Sequence, residues 1–440
     1  MSRRGPRQIE LTIESLSADG LGHGRFEGRE VLARNALPGE MVSAVVRKRR
    51  RGFWYATAPT PAVRSPLRRS APCPFYPRCG GCVMQHLDYG AQLDHKRAVL
   101  NAQLAEHNVT PHRQLSPVSG PHFYYRHKAR LGVRRVGDEV LAGFREGFSN
   151  RVVRMDDCLT LALPFARMLP DLRCTLGAMS EPGRLPQVEL TAGDRTFAII
   201  LRHLGDLDAA DHARLRGFAR RTGMRVYLQP GGYDSVHLLD DSGHGPYLSY
   251  ANPDFGLNYE FLPTDFTQVN PYVNRSLVRA ALLALAPRPG RVAVDLFCGI
   301  GNFSLALARL GVRVIGLESA PGAVSRARQN AAGNGLAQRA EFAVADLYDE
   351  GGGDLPEADY LLLDPPRSGA GPNLERWAGS SRVEKIVYVS CNPRTFASDA
   401  ARLAESGYTL QEVGVFDMFP HTSHIETLGL FLRRRGGAGG

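Results

Sequence analysis

Val292-Ala293-Val294-Asp295-Leu296-Phe297-Cys298-Gly299-Ile300-Gly301-Asn302 reads as a buried strand that runs into a glycine turn. A short apolar run bounded by glycines fits a strand covered on both faces. Gly299 and Gly301 let the backbone bend sharply towards a ligand before a helix begins. The same texture repeats downstream. Apolar strands at Val312–Leu317, Tyr360–Leu363 and Ile386–Ser390 alternate with helical stretches at Phe303–Leu310, Pro321–Asn334 and Phe396–Ser406. That alternation predicts an α/β unit, a parallel sheet with helices on both faces.

Open α/β sheets bind ligands beyond the carboxyl ends of their strands, and polar residues gather there in this chain. The second strand ends at Glu318, the place where a carboxylate grips ribose hydroxyls. Residue 304 is Ser, so the dinucleotide pattern G-x-G-x-x-G is incomplete, and S-adenosylmethionine fits better than a nicotinamide. Asp346 follows Phe342-Ala343-Val344-Ala345 and is placed to bond an adenine amino group. In Asp364-Pro365-Pro366-Arg367 two prolines stiffen the loop behind a carboxylate at the cleft mouth. Val387-Tyr388-Val389-Ser390-Cys391 ends a further strand in a thiol, a candidate nucleophile. Neighbouring polarity is expected to lower the pKa of Cys391. His421-Thr422-Ser423-His424-Ile425-Glu426 places a carboxylate beside two histidines.

A different chemistry sits nearer the start. Cys73, Cys79 and Cys82 follow one another at spacings that converge on one metal centre, and a fourth ligand must come from afar. Cys158 is the candidate, with Cys174 as its competitor in an apolar helical setting. Thiolates alone permit zinc or an iron–sulfur cluster.

Further towards the N-terminus, Ile9-Glu10-Leu11-Thr12-Ile13-Glu14 alternates like a half-buried strand, and residues 9–60 read as a small all-β module. Arg47-Lys48-Arg49-Arg50-Arg51 runs straight into Phe53-Trp54-Tyr55, joining phosphate-binding charge to base-stacking rings as small OB-type barrels do. Pro59, Pro61, Pro66 and Pro72 mark an extended linker over residues 58–72. Residues 91–107 have helical spacing, and residues 122–260 suggest a mixed α+β region with one helix around Asp208–Arg221. The expected division is 1–62, 73–260 and 261–440.

The whole chain has 440 residues, 43% of them apolar and 22% charged, which suits several folded domains and excludes a disordered or collagen-like chain. The net charge is +10, and residues 1–72 carry 14 Lys/Arg against 6 Asp/Glu, so most of the excess lies there. Concentrated positive charge points to nucleic acid. No apolar run can span a membrane, and Met1–Arg7 lacks a secretory leader, so a cytoplasmic location is expected. The tail from Arg433 to Gly440 is low in complexity.

Six motifs in order carry a resemblance. Cys79-Gly80-Gly81-Cys82-Val83-Met84-Gln85-His86-Leu87-Asp88-Tyr89, Asp265-Phe266-Thr267-Gln268-Val269-Asn270, Asp295-Leu296-Phe297-Cys298-Gly299, Asp364-Pro365-Pro366-Arg367, Ser390-Cys391-Asn392-Pro393 and His424-Ile425-Glu426 are similar to those of RNA (uracil-5-)-methyltransferases. The resemblance implies a Rossmann-like S-adenosylmethionine-dependent domain, an N-terminal TRAM-type OB barrel, and a central α+β domain with an iron–sulfur site. It implies that Cys73, Cys79, Cys82 and Cys158 hold a [4Fe-4S] cluster. Gln268, Phe297, Asn302, Glu318, Asp346 and Asp364 would bind S-adenosylmethionine, with Cys391 the nucleophile and Glu426 the proton acceptor. The front module and the cysteines resemble the type that methylates a specific uridine of 23S ribosomal RNA, acting as a monomer. Rival readings are another ribosomal uridine, a tRNA, or an inactive RNA-binding scaffold. Two positions depart from the pattern: Leu159 stands where Pro is frequent, and His127 where Asn is frequent.

Overall fold

The computed structural model describes residues 7–240, 245–350, 355–380 and 382–434. The low-complexity tail from 435 and most of the N-terminal leader segment lie outside the described residues. Strands β1 (Gln8–Thr12), β2 (Ser15–Leu16), β3 (Gly22–Phe26), β4 (Arg29–Arg34), β5 (Met41–Arg50) and β6 (Phe53–Thr57) form one sheet in the order β1-β5-β6-β4-β3-β2. Alternate side chains of β1, Ile9 and Leu11, point into a core with Val31, Ala33, Val42 and Trp54. Most of the basic run belongs to the end of β5 rather than to a loop. Trp54 is turned inward at 5% exposure and has the Arg49 guanidinium over its ring at 4.4 Å, so only Phe53 and Tyr55 keep partly open faces.

The proline-marked stretch is not a free linker. Arg68, within it, donates from Nε and Nη2 to the fully buried Glu40 at 2.5 and 2.6 Å. The same carboxylate accepts from the backbone of Leu37 and Ser65. Burial pushes the Glu40 pKa up, but those donors outweigh it and the carboxyl ends below its ordinary value.

Asp88 caps α1 (Tyr89–Glu106) by accepting from the Gly90 and Ala91 N–H groups. After β7 (Arg113–Gln114) come β8 (Lys128–Val136), β9 (Glu139–Gly143), α2 (Leu163–Gly177), β10 (Gln187–Ala192), β11 (Phe197–Arg202), α3 (Ala209–Thr222), β12 (Arg225–Gln229) and β13 (His237–Leu238). Their sheet runs β13-β12-β11-β10-β8-β9 and buries one face against α2 and α3. Helix α2 is an addition to the one helix expected here. It contains Pro170 and has no side-chain cap, so Pro164 at its start is the one usual boundary signal it carries.

A hairpin of β14 (Leu248–Asn252) and β15 (Leu257–Phe261) leads to α4 (Pro271–Leu285). Then follow β16 (Val292–Leu296), α5 (Ser304–Arg309), β17 (Arg313–Glu318), α6 (Pro321–Gly333), β18 (Ala340–Val344), β19 (Tyr360–Leu363), α7 (Leu374–Gly379), β20 (Lys385–Ser390), α8 (Pro393–Glu405), β21 (Tyr408–Phe416) and β22 (Glu426–Arg433). The sheet order is β18-β17-β16-β19-β20-β22-β21-β7, with β16 to β20 parallel and β22 antiparallel to both neighbours. Alternate residues serve opposite faces: Ala293 and Leu362 pack with α4 to α6, whereas Val294 and Leu361 pack with α1, α7 and α8. The predicted two-sided sheet is present. Helix α1 and β7, inside the segment expected as a central unit, pack on this sheet.

Arg68→Met leaves the Glu40 charge buried without its partner, so unfolding is expected to cost about 3–5 kcal/mol less, read as a lower urea midpoint. A carboxyl held below its ordinary value of 4.5 stabilises above that pH, and the gain disappears as pH falls through the folded value. The difference between the native chain and the variant therefore shrinks in acid.

Candidate active site

Strand order reverses direction between β16 and β19, and the cleft that opens beyond their carboxyl ends is a cavity of about 740 Å³. Gln268, Phe297, Asn302, Glu318, Asp346, Asp364, Cys391 and Glu426 all line it. Local chemistry explains how each arrives there. Phe297 leaves β16 in the left-handed region at φ 64°, followed by Gly299 at 54° and Gly301 at 92°, which turns the chain back under the cavity. Glu318, at the tip of β17, accepts from the Gly299 N–H at 3.2 Å and the Ala320 N–H at 3.0 Å, so the carboxylate ties two loops together. Asn302 exchanges two 3.0 Å amide bonds with Asn274 of α4. Cys391 sits in the joint between β20 and α8, because Asn392 caps that helix and Pro393 opens it.

Three acidic groups share the floor. Burial pushes Asp364 up to about 7, opposed by a 3.4 Å hydrogen bond from Gln268 Nε2. Glu426, 2% exposed, is driven well above the ordinary carboxyl range by burial and by repulsion from Asp364. The Cys391 thiol is pushed up to about 11 by burial and the Glu426 and Asp364 carboxylates, with Arg367 pulling the other way. This corrects the expected lowering. The polar neighbours that tertiary structure brings to the thiol are chiefly anionic, and they disfavour a thiolate. Beneath the glycine turn, Asp295 is fully buried, pushed up to about 7, and bonded by the Ser304 hydroxyl.

An apolar-walled cavity that sets several carboxyls against Arg367 alone, among its described lining residues, is short of positive charge. A sulfonium-bearing ligand suits it. Several wall residues carried no role in the sequence reading: Tyr348, whose ring lies 5.9 Å from that of Phe297, Tyr250, which donates to Asn302, and Phe419. Asn274 had a visible signal, a polar residue on the apolar face of α4.

Elsewhere, Cys73, Cys79, Cys82 and Cys158 line one small cavity with Tyr76, Phe144 and Met155. Cys174 lies exposed on α2, outside it. Donors point at two of the sulfurs: the Gly81 N–H at Cys79 and the Gln85 amide at Cys82. Burial and mutual repulsion push Cys79 up to about 11 and Cys82 up to about 12. Among the described residues no group of three or more His, Cys, Asp or Glu side chains is arranged to hold a metal ion.

A family model described as tRNA (uracil-5-)-methyltransferase matches residues 88–341 and 354–435. The chain belongs to this family. Among relatives, a 23S rRNA (uracil(1939)-C(5))-methyltransferase RlmD from Azoarcus sp. (strain BH72) is 42% identical over 428 residues, covering 96% of this chain and 99% of that one. One of the same description from Alkalilimnicola ehrlichii is 43% identical over 440 residues, 98% of each chain. The crystal structure of Pyrococcus abyssi tRNA (uracil-54, C5)-methyltransferase, in complex with S-adenosyl-L-homocysteine, superimposes with a TM-score of 0.73. It is 24% identical and covers 96% of this chain and 100% of that one, which establishes the shared family fold.

The electrostatics of this family member generate a direct test. Alkylation at Cys391, followed by peptide-resolved iodoacetamide labelling of the ligand-free protein, is expected to rise about tenfold per pH unit from neutrality towards a midpoint of about 11. Asp364→Asn removes a negative neighbour and shifts that midpoint down; an unmoved midpoint contradicts the assignment.

Proposed function

We propose that this chain transfers a methyl group from S-adenosylmethionine to carbon 5 of a specific uridine in 23S ribosomal RNA, the uracil 1939 named for its relatives. The observation that carries the reading is the convergence of Cys391 and Glu426 on the cavity that Asp364 and Glu318 line. The bound cofactor supplies an electrophilic methyl group and a positive charge. Gln268, Phe297, Asn302, Glu318, Asp346 and Asp364 hold it, and positive charge in the cavity favours ionised Cys391, Asp364 and Glu426.

Carbon 5 of uracil is a poor nucleophile. Cys391 sulfur bonds to carbon 6, the ring becomes an enolate, and carbon 5 then takes the methyl group. Glu426 removes the carbon 5 proton, the C–H electron pair forms the 5,6 double bond, and the Cys391–carbon 6 bond breaks. Such a uracil must be unpaired or flipped out of its stack.

The remaining parts take supporting roles. Residues 1–62 act as a TRAM-type OB module that grips RNA phosphates through β5, residues 73–260 form the central unit except for α1 and β7, which join the catalytic sheet, and 261–440 form the catalytic unit. Cys73, Cys79, Cys82 and Cys158 hold a [4Fe-4S] cluster: four sulfurs around one cavity, two of them receiving N–H donors, support an all-cysteine site. No helix among the described residues is long and apolar enough to cross a membrane, and a ribosomal RNA substrate places the work in the cytoplasm.

Incubation with a tritiated methyl donor and unmodified 23S rRNA or tRNA transcripts is expected to label one uridine of the 23S rRNA. Cys391→Ala abolishes labelling while RNA binding persists. Label in tRNA, or turnover by that variant, overturns the reading. Anaerobic purification is expected to yield brown protein carrying iron and sulfide; stoichiometric zinc without iron removes the cluster.

A further inference from the structure

Helix α1 buries one stripe, Gln92, Lys96, Leu100 and Leu104, at intervals of four. Its second half is apolar and meets the catalytic sheet. Its first half is polar, although Lys96 is fully buried. A buried lysine on a helix needs a reason, because taking its charge out of water is costly unless it is paired and hydrogen-bonded.

The reason lies across the interface. Lys96 Nζ donates to Asp417 Oδ1 at 2.6 Å and to the Phe419 carbonyl at 3.1 Å. Tyr89, two turns earlier, donates to the other Asp417 oxygen at 2.7 Å. Gln92 Oε1 accepts from the His421 N–H at 3.2 Å, and the His421 carbonyl accepts from the Val83 and Met84 N–H groups at 2.9 and 3.0 Å. These bonds all fall on residues 417–421 of the loop that joins β21 to β22. That loop carries Phe419 into the catalytic cavity and ends at Glu426, the first residue of β22. Glu426 itself accepts no hydrogen bond from the described residues, so its aim depends on its backbone.

We propose that Lys96, with Gln92, is a positioning residue for Glu426, clamping the 417–425 loop so that the carboxylate reaches the carbon 5 proton. The inference rests on the reading of Glu426 as the base. It predicts which step fails: proton removal, after the Cys391 bond to uracil has formed.

The test compares the full-length native enzyme with Glu426→Gln, Lys96→Met and the double variant Lys96→Met/Asp417→Asn. The double variant removes both charges and keeps an acceptor for Tyr89, so it leaves no lone buried ion. Each is measured for thermal midpoint, S-adenosylmethionine affinity, kcat, KM for RNA, and denaturant-stable protein–RNA adduct. The double variant is expected to bind the cofactor within twofold of the native enzyme and to lose at least tenfold in kcat with little change in KM. Its adduct accumulates as it does in Glu426→Gln. If Glu426→Gln traps adduct and the folded double variant turns over without trapping it, the clamp is structural only and the inference fails. If Glu426→Gln turns over normally, the base assignment itself fails and takes the clamp with it.

Discussion

Asp364, Glu426 and Cys391 face one cavity, and the burial of these ionisable groups side by side is the constraint on which the rest of the molecule depends. Ionisation is disfavoured throughout: burial raises all three, an ionised Asp364 raises Glu426 and Cys391 further, and an ionised Glu426 raises Cys391. A scaffold that keeps them together must be stiff, since moving any one outward into water would relieve the cost of its burial. Stiffness comes from the fold. Asp364 ends β19 ahead of two prolines, Cys391 is caught between β20 and a capped helix, and Glu426 opens β22 within a continuous antiparallel ladder. The ligand-free cavity thus disfavours ionised Cys391 and Glu426, and in the proposed mechanism the positive charge of the cofactor offsets that.

How much of this was legible depended on how local each signal was. Strand ends in a parallel sheet lie at one edge, so Asp295, Glu318, Asp364 and Cys391 could be placed together from apolar runs alone. Glu426 could not. It stands on an antiparallel strand inserted beside β20, and only the resemblance connected it with the thiol. Gln268 and Asn302 were likewise carried by motif similarity rather than by spacing. The four cysteines needed both kinds of reading, because Cys158 joins the other three only after the central sheet has folded.

What stayed hidden is tertiary in origin. Pro170 masked α2, since an interior proline normally ends a helix. The Arg68–Glu40 pair made an apparent linker part of a core, through partners far apart in sequence. The direction of the Cys391 shift depended on which charges the fold brings near, and these are anionic. Lys96 carried no role in the sequence reading, because the loop that covers it lies more than 300 residues away in the chain.

Arg34 deserves one last thought for what it does to the order of assembly. From β4 it enters the cysteine loop, at 6% exposure, and donates to the carbonyls of Pro77, Cys79 and Cys82 at 3.1, 2.8 and 2.6 Å. Ribosomes deliver chains N-terminus first, so the guanidinium is presented before the segment it organises has been synthesised. A chain lacking the front module would leave three carbonyls of the thiol-bearing turn without this donor.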